Sequence, residues 1–374
     1  MTARAYLDWN ATTPLHPEVV EAVLQASGEA WGNPASVHAT GRRARQRVER
    51  VREQLAEWLR ASPRDVLFTA GGTEANNLAL RAAPALVTSR LEHPSVVRAA
   101  EAVAAEGRPV EWLPVRPDGT VELAELPDRL ARLPRGTVVA LMAANHETGV
   151  LQPVALALQI TRAHGARLHV DAVQAAGKVE LAPALGADSL ALTAHKLRGP
   201  KGVGALIWRG DPAGIARLVV GGSQERGLRP GTVDAVAIAG LGKAVELAIT
   251  GPARYAATSA LRDELEAALT PPGQLNGSAP RLPHVSNLSF PGLRSDEAIA
   301  ALDLLGVEVS SGSACSVGSQ ETSAVVRAML GEERAATAIR FSLGDVTGRE
   351  EVGLAISALR QVLARRSSSA SRSG

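Results

Sequence analysis

Residues 188–206 are DSLALTAHKLRGPKGVGAL, and the organisation of the chain follows from this stretch. Residues 189–193 form a short apolar run that predicts a buried strand, and residues 202–208 predict another. His195 and Lys196 lie between them, in a turn rich in glycine and proline. A lysine enclosed by buried strands can act as a nucleophilic amine that forms Schiff bases, whereas an isolated His-Lys pair is usually the start of a surface loop.

Two stretches upstream favour the chemical interpretation. Residues 167–174 predict a strand that ends at Asp171, with Gln174 three residues further on. Residues 71–77 are a glycine-rich turn that opens a helix, a geometry that presents free N–H groups to a phosphate. A phosphate site, a buried acid and an amine are what pyridoxal phosphate requires of a protein.

The composition is that of a globular protein. The chain has 374 residues, of which 45% are hydrophobic and 21% are charged, and its net charge is +2. A single core stops growing below this length, so we expect a large and a smaller domain. The segment RRARQRVERVRE has no interleaved aromatic residues, so direct binding of nucleic acid is not expected. The sequence has no apolar run of eighteen residues and no signal peptide, which predicts no membrane association and a cytoplasmic location.

From residue 65 onward, short apolar strands alternate with amphipathic helices. This alternation predicts an α/β domain whose mostly parallel sheet is covered by helices on both faces. Ligands of such sheets bind at the carboxyl ends of the strands, where Asn145, Asp171 and Lys196 all lie. The predicted strands are residues 66–69, 85–88, 137–143, 167–170, 190–193 and 202–208.

A break at Gly251 and Pro252 marks the predicted boundary between the two domains. The C-terminal part mixes helices and strands, which predicts a smaller α+β domain. The last residues are polar and low in complexity, which is typical of disorder. We therefore expect an N-terminal arm (1–15) packed on the small domain, a large domain (16–250), a small domain (251–366) and a disordered tail (367–374).

Nine motifs along nearly the whole chain resemble those of the cysteine desulfurases, the NifS and IscS type of class V aminotransferase-like enzymes. They occur in that family's order. The motifs are LDWNATTP, GNPASVH, FTAGGTEANN, NHETGVLQP, HVDAVQAAGK, HKLRGPKGVGAL, RPGTVD, SSGSACS and IRFSLG. The resemblance implies fold type I of the pyridoxal-phosphate enzymes, with that cofactor, and conversion of L-cysteine to L-alanine with transfer of the sulfur.

The resemblance also implies roles around the cofactor ring. Lys196 is the Schiff-base lysine and moves the proton at the substrate Cα, while Asp171 pairs with the pyridine N–H. Gln174 donates a hydrogen bond to the phenolic oxygen, and Asn145 supports the same ring edge. His93 resembles the histidine that stacks on the ring and takes part in proton transfer. From the sequence alone, His93 is equally well explained as the start of a helix at Pro94.

The phosphate ligands implied by the resemblance come from three places in the chain. Gly72 and Thr73 lie in the glycine-rich turn, and Thr193 and His195 lie next to the lysine. Thr232 resembles a threonine that reaches the phosphate of the second subunit. The resemblance therefore implies a homodimer.

Three residues are implied at the substrate. Arg340 resembles the arginine that holds the substrate carboxylate, and Asn33 is a second candidate for that end. Cys315, the one cysteine of the chain, lies in a small, polar loop and resembles the nucleophile that takes the substrate sulfur as a persulfide. A structural free thiol is the alternative. The expected acceptor is an iron–sulfur scaffold or a tRNA-thiolation protein, and an iron–sulfur cluster at Cys315 is expected only if it is shared with a scaffold.

Several alternatives remain open at this point. A selenocysteine lyase or another class V aminotransferase would use the same cofactor residues, although a transaminase has no need of a mobile thiol. A non-catalytic sulfur-relay or scaffold protein would not need Lys196, Asp171 and Arg340 together. A dinucleotide-binding oxidoreductase is disfavoured because the glycine turn lacks the G-x-G-x-x-G spacing. No metal site is expected.

Overall fold

The computed structural model describes residues 4–278, 280–312 and 322–370. A seven-stranded sheet forms its centre, in the order β2-β8-β7-β6-β5-β3-β4. Its strands are β2 (Val66–Thr69), β3 (Leu86–Ser89), β4 (Val110–Leu113), β5 (Val138–Met142), β6 (Arg167–Asp171), β7 (Ser189–Thr193) and β8 (Gly204–Trp208). Strand β8 runs antiparallel to β2 and β7, while the pairs from β7 to β4 are parallel.

Helices cover both faces of this sheet. Successive residues of a strand point to opposite faces, so Val66 and Phe68 pack in one hydrophobic cluster and Leu67 in another. The first cluster includes apolar residues of α1 (Pro17–Glu29), α2 (Ala39–Trp58), α5 (Leu126–Arg132), α6 (Val154–Ala163) and α7 (Ala235–Ile249). The second includes those of α3 (Gly72–Leu80) and α4 (Pro94–Ala105). The predicted fold class, a mostly parallel sheet between two helical layers, is confirmed.

The C-terminal part builds a separate core. The strands of this part are β9 (Gln274–Leu275), β10 (Val285–Ser289), β11 (Val307–Glu308) and β12 (Ala338–Ser342). Its helices are α8 (Gly251–Ala256), α9 (Ser259–Leu269), α10 (Ser295–Leu304), α11 (Ala324–Leu330), α12 (Glu332–Ala335) and α13 (Arg349–Ala370). The predicted break at Gly251 and Pro252 is the first turn of α8, and α13 includes residues 367–370 of the predicted tail. The domain limits stay a prediction.

The N-terminal segment joins the two cores. Strand β1 (Ala5–Tyr6) pairs in parallel with β11, and Leu7 packs in the C-terminal core. Beyond it, Trp9 is buried against Gly344, and Asn10 donates its backbone N–H to Ser342 Oγ at 2.9 Å. The chain then crosses to the carboxyl ends of the central strands.

Within the described ranges, no single helix has both the length and the apolar composition needed to cross a membrane. The bent pair Ala235–Ile249 and Gly251–Leu269 passes the same test only when its two helices are taken together.

The contact between Trp9 and Gly344 can be tested by Gly344→Ala. A Cβ at residue 344 would lie 2.1 Å from Trp9 Cε2, so the arm must move. We expect a loss of about 1–3 kcal/mol in the free energy of unfolding, measured by urea denaturation. Gly353→Ala on the exposed side of α13, where an added Cβ has no neighbour within 4 Å, is the control and should be neutral or stabilising. Equal stability of the two variants would contradict this packing.

Candidate active site

The candidate site is a cavity of about 190 Å³ at the carboxyl-terminal edge of the central sheet. Strands β5, β6 and β7 end there side by side, and the turn before α3 reaches the same edge. Most of the predicted site residues line this cavity: Gly72, Thr73, His93, Asp171, Gln174, Thr193, His195, Lys196 and Arg340.

Lys196 follows β7 in a single 3-10 turn. The turn is closed by two backbone hydrogen bonds, from Ala194 N to Val203 O at 3.1 Å and from Gly199 N to Ala194 O at 2.9 Å. Lys196 Nζ donates to the carbonyl oxygens of Asn10 and Ala11, the latter at 2.6 Å. The N-terminal segment therefore holds the amine in the cavity.

Asp171 is the last residue of β6, and its side chain is buried. Its Oδ1 accepts from Val173 N at 3.0 Å, which is the turn-capping role, and its Oδ2 accepts from Asn76 Nδ2 at 2.8 Å. Burial raises the pKa of Asp171, and the hydrogen bonds from Val173 and Asn76 oppose that rise. In the described part of the chain, no Lys, Arg or His nitrogen lies within 4.0 Å of this carboxylate. The site thus suits a ligand that brings its own cationic N–H.

An anion can bind where helix α3 begins in the cavity wall. Helix α3 begins after Gly71, whose φ of +153° favours glycine, and no side chain caps the helix. The free N–H groups of the first turn and the helix dipole therefore favour a bound anion. Thr193 Oγ1 lies only 3.5 Å from where a Cβ on residue 71 would stand. Thr73 and His195 also line this cavity.

His93 both caps a helix and lines the cavity, so the helix start predicted from the sequence does not exclude a role at the cavity. It precedes α4, and its Nδ1 accepts from Ser95 N at 3.1 Å, which places the ring proton on Nε2. Burial lowers the pKa of His93 to about 3, and electrostatic interaction with His146 and Lys196 adds to this effect. The ring is therefore neutral, and a neutral ring can pack on a flat ligand.

Gln174 and Arg340 enter the cavity from two different cores. Gln174 follows β6, and its Nε2 donates to Asn10 O at 3.0 Å. Arg340 lies on β12 and is 1% exposed. Its guanidinium donates to His146 O at 3.0 Å and pairs with Asp8, while its Nε has no partner among the described residues. A buried guanidinium with unused N–H capacity suits a ligand carboxylate.

The structure does not place every predicted residue in the cavity wall. The Asn145 side chain is fully buried behind it: its Oδ1 accepts from Glu147 N and Thr148 N, each at 2.9 Å, and its Nδ2 donates to Leu91 O at 3.0 Å. Asn145 thus shapes the turn after β5 and does not line the cavity. Asn33 and Thr232 are exposed and lie outside this cavity. Cys315 lies outside the described residues.

The sequence interpretation missed the role of Asn10, although it lies in a quoted motif. Its backbone O accepts from Gln174 and Lys196, its Nδ2 donates to His146 O at 3.1 Å, and its Oδ1 meets His284 Nε2 at 3.0 Å. An asparagine among turn residues shows no periodic signal, so only the fold could reveal this role. His146, whose ring lies 5.3 Å from that of His93, was missed for the same reason.

Comparison with known proteins places the chain in a family. The class-V aminotransferase model matches residues 5–354. The chain belongs to the class-V aminotransferase family. It is 42% identical to a cysteine desulfurase of Frankia sp. (strain EuIK1), over 93% of this chain and 88% of that protein. It is 41% identical to a cysteine desulfurase IscS of Anaeromyxobacter sp. (strain Fw109-5), over 93% and 89%.

Solved structures give the same relationship. A NifS-like protein superposes with a TM-score of 0.87 at 32% identity, covering 96% of this chain and 99% of the other. A NifS-like protein from Rickettsia africae ESF-5 has the same TM-score and coverage at 30% identity. The resemblance to the NifS and IscS type drawn from the nine motifs is confirmed.

Burial of histidines at the site predicts a pH dependence. Burial lowers the pKa of His93 and of His169 to about 3, and that of His195 to about 4. A histidine in the unfolded chain takes up a proton near pH 6.5. Histidine protonation therefore does not reduce the free energy of unfolding above about that pH, and it reduces this free energy as the pH falls below it. We expect the three rings to stay neutral from about pH 8 to pH 5, as measured by NMR of ¹⁵N-histidine-labelled, cofactor-free protein.

The same labelled protein unfolded in guanidinium chloride is the control, because its rings are exposed to water and titrate normally. Protonation of the His93 ring near pH 6.5 in the folded protein would contradict the buried, neutral assignment.

Proposed function

We propose that this protein is a pyridoxal-phosphate-dependent cysteine desulfurase, which converts L-cysteine to L-alanine and transfers the sulfur to Cys315 as a persulfide. The observation that carries the proposal is the convergence of Lys196, Asp171 and Arg340 on one cavity that has an uncapped helix start at one end. The 42% identity to a cysteine desulfurase supports it.

The residues of the cavity fit the cofactor. Asp171, a buried carboxylate, would pair with the pyridine N–H, a cationic partner that no described Lys, Arg or His side chain supplies within 4.0 Å of it. The phosphate would take the N–H groups of Gly72 and Thr73 and the side chains of Thr73, Thr193 and His195. Gln174 would donate to the phenolic oxygen, and Lys196 would bind the aldehyde. Asn145 would support the ring edge only through the turn that it holds.

The protein's own groups would then carry out the reaction. The cofactor supplies an electron-withdrawing ring that stabilises negative charge at the substrate Cα. Arg340 would hold the substrate carboxylate, with Asn33 as a weaker candidate, and Lys196 would move the proton at Cα. The neutral His93 ring would pack on the cofactor and take part in proton transfer through Nε2.

Transfer of sulfur requires a thiolate at Cys315. This thiolate attacks the substrate sulfur and forms an S–S bond, and the bond from sulfur to Cβ breaks. The electron pair of the broken bond passes to the carbon frame of the substrate, which takes up a proton and leaves as alanine. The persulfide is then passed to a thiol acceptor, such as an iron–sulfur scaffold or a tRNA-thiolation protein. A cluster at Cys315 would be one shared with such a scaffold.

The assay is anaerobic incubation with L-cysteine and a reductant, measuring alanine and sulfide. We expect equal amounts of both from the native protein and a loss of at least about 100-fold in Cys315→Ala, since its nucleophile is missing. Cys315→Ala should retain the visible absorbance of the bound cofactor, whereas Lys196→Ala should lose the native band. A Cys315→Ala variant as active as the native protein would contradict the proposal.

The same variants separate the alternatives. Loss of cysteine desulfuration with retained selenocysteine lysis in Cys315→Ala would identify a selenocysteine lyase. A coloured protein that yields neither alanine nor sulfide would indicate another class V enzyme. A purified protein that takes up no cofactor would favour a scaffold role.

We further propose a homodimer in which Thr232 reaches the partner's cofactor phosphate. Thr232 is exposed and lies outside its own cavity. Large exposed apolar residues on α1 and in two loops support the proposal, because apolar side chains that face water can be covered at a subunit contact. These residues are Val20, Leu24, Trp31, Val37, Val219 and Val220. The cytoplasmic location stays a prediction.

Mixed dimers test the position of Thr232. Thr232→Ala and Lys196→Ala chains should each be weakly active, because each lacks one component of every site. If Thr232 acts across the dimer, dissociating and reassociating an equal mixture should give about a quarter native sites, and cysteine desulfuration should rise accordingly. If Thr232 acts within its own chain, no native site can form and activity should not rise.

A further inference from the structure

A buried lysine behind the cavity has no place in the proposed mechanism. Lys178 is 1% exposed and is among the largest fully buried side chains. Its Nζ donates to Gln174 Oε1 at 3.0 Å, and in the described ranges no carboxylate lies within 4.0 Å of it. A buried amine without an acidic partner is costly, so its retention needs a reason.

The backbone explains how Lys178 comes to lie under the site. Beyond β6 the chain turns, with Lys178 N donating to Ala175 O at 3.0 Å. Gly177 has a φ of +68°, and a Cβ there would lie 2.9 Å from Ala248 Cβ. Only glycine suits this crowded, left-handed position, and it directs Lys178 back beneath Gln174.

The two partners of Gln174 fix the orientation of its amide. The backbone oxygen of Asn10 can only accept, so the end of the amide that faces it at 3.0 Å is the NH₂ group. The carbonyl end then faces Lys178, which donates to it. Because Gln174 also lines the cavity, its second N–H can be donated to a ligand there.

We propose that Lys178 is a positioning residue that holds the carbonyl end of the Gln174 amide and so presents the amide N–H to the phenolic oxygen of the cofactor. This inference rests on the proposed function, because that oxygen belongs to pyridoxal phosphate. Without Lys178, the carbonyl end of a buried amide would have no donor, and the amide would turn away from the cofactor.

Among the described residues, the charged groups that act on Lys178 are cationic. Lys196 and Arg340 lie close enough to disfavour its ammonium form, and burial adds to this effect by lowering the pKa of Lys178. Lys178 in turn is one of the groups that disfavour protonation of His195 and His284. A donated hydrogen bond therefore explains the residue better than an ion pair does.

The test is a pH titration of the visible absorbance of cofactor-loaded protein, without substrate. The Lys196 nitrogen, once bonded to the cofactor, would donate a hydrogen bond to the same phenolic oxygen. A second donor to that oxygen weakens this hydrogen bond, so losing the second donor makes the Lys196 nitrogen more basic. We expect Gln174→Ala and Lys178→Met each to raise the titration midpoint by about half a unit to one unit. The double variant should match Gln174→Ala, because Lys178 acts through Gln174.

Two further variants make the test specific. Lys178→Gln keeps an N–H donor without the charge and should keep the titration midpoint close to native. This variant tests the positioning role of Lys178 even if Lys178→Met does not fold. Lys243→Met, which removes a lysine paired with Glu246 on the surface of α7, is the matched control and should leave the midpoint unchanged.

An unchanged midpoint in Lys178→Met would overturn the proposal. So would a full additional shift in the double variant, or a shift in Lys178→Gln as large as that of Gln174→Ala. Failure of the proposed function would give a different result, because native protein would then show no visible band with pyridoxal phosphate. In that case the Lys178 proposal falls as well.

Discussion

The rest of the structure depends on the hydrogen bonds between the N-terminal segment and the turn that carries Lys196. Thr13 N and Oγ1 both donate to His195 O, at 3.2 and 2.8 Å, and Arg198 N donates to Thr13 Oγ1 at 3.0 Å. Arg198 has a φ of +62°, a strained value for arginine that these bonds stabilise. Since the same segment contributes Trp9 and Asn10, one length of chain fixes the amine and joins the two cores.

This arrangement explains why the site is built from buried polar groups. In a region of low dielectric, hydrogen bonds and charges act more strongly, provided that each group has a partner. Asp171 has Asn76 and Val173, and Arg340 has Asp8 and His146 O. Each keeps capacity for one more partner, which the proposed binding of a cofactor ring and a substrate carboxylate would use.

Much of the fold could be predicted because its signals are local. Apolar runs bounded by glycine and proline gave the strands from β2 to β8, except β4, within one or two residues. Strand β4 was missed because its sequence, VEWL, alternates weakly and is only partly buried. The two-residue strands β1 and β11 carry no periodicity, and they exist because the N-terminal segment pairs with a strand about 300 residues away.

The fold class, the family and the identity of most cavity residues could be predicted from the amino-acid sequence, because strand periodicity, glycine turns and motif order are local features of the chain. The tertiary structure decided what each side chain does once it is buried. The amide of Asn145, which was predicted at the ring edge, instead holds a turn. Asn10 bonds to His284, far away in sequence, whereas Lys178 bonds to Gln174 on the preceding turn. The physical reason is that a buried polar group bonds to whatever partners the folded chain brings within reach, near or far in sequence, and strand periodicity and motif order do not specify those partners.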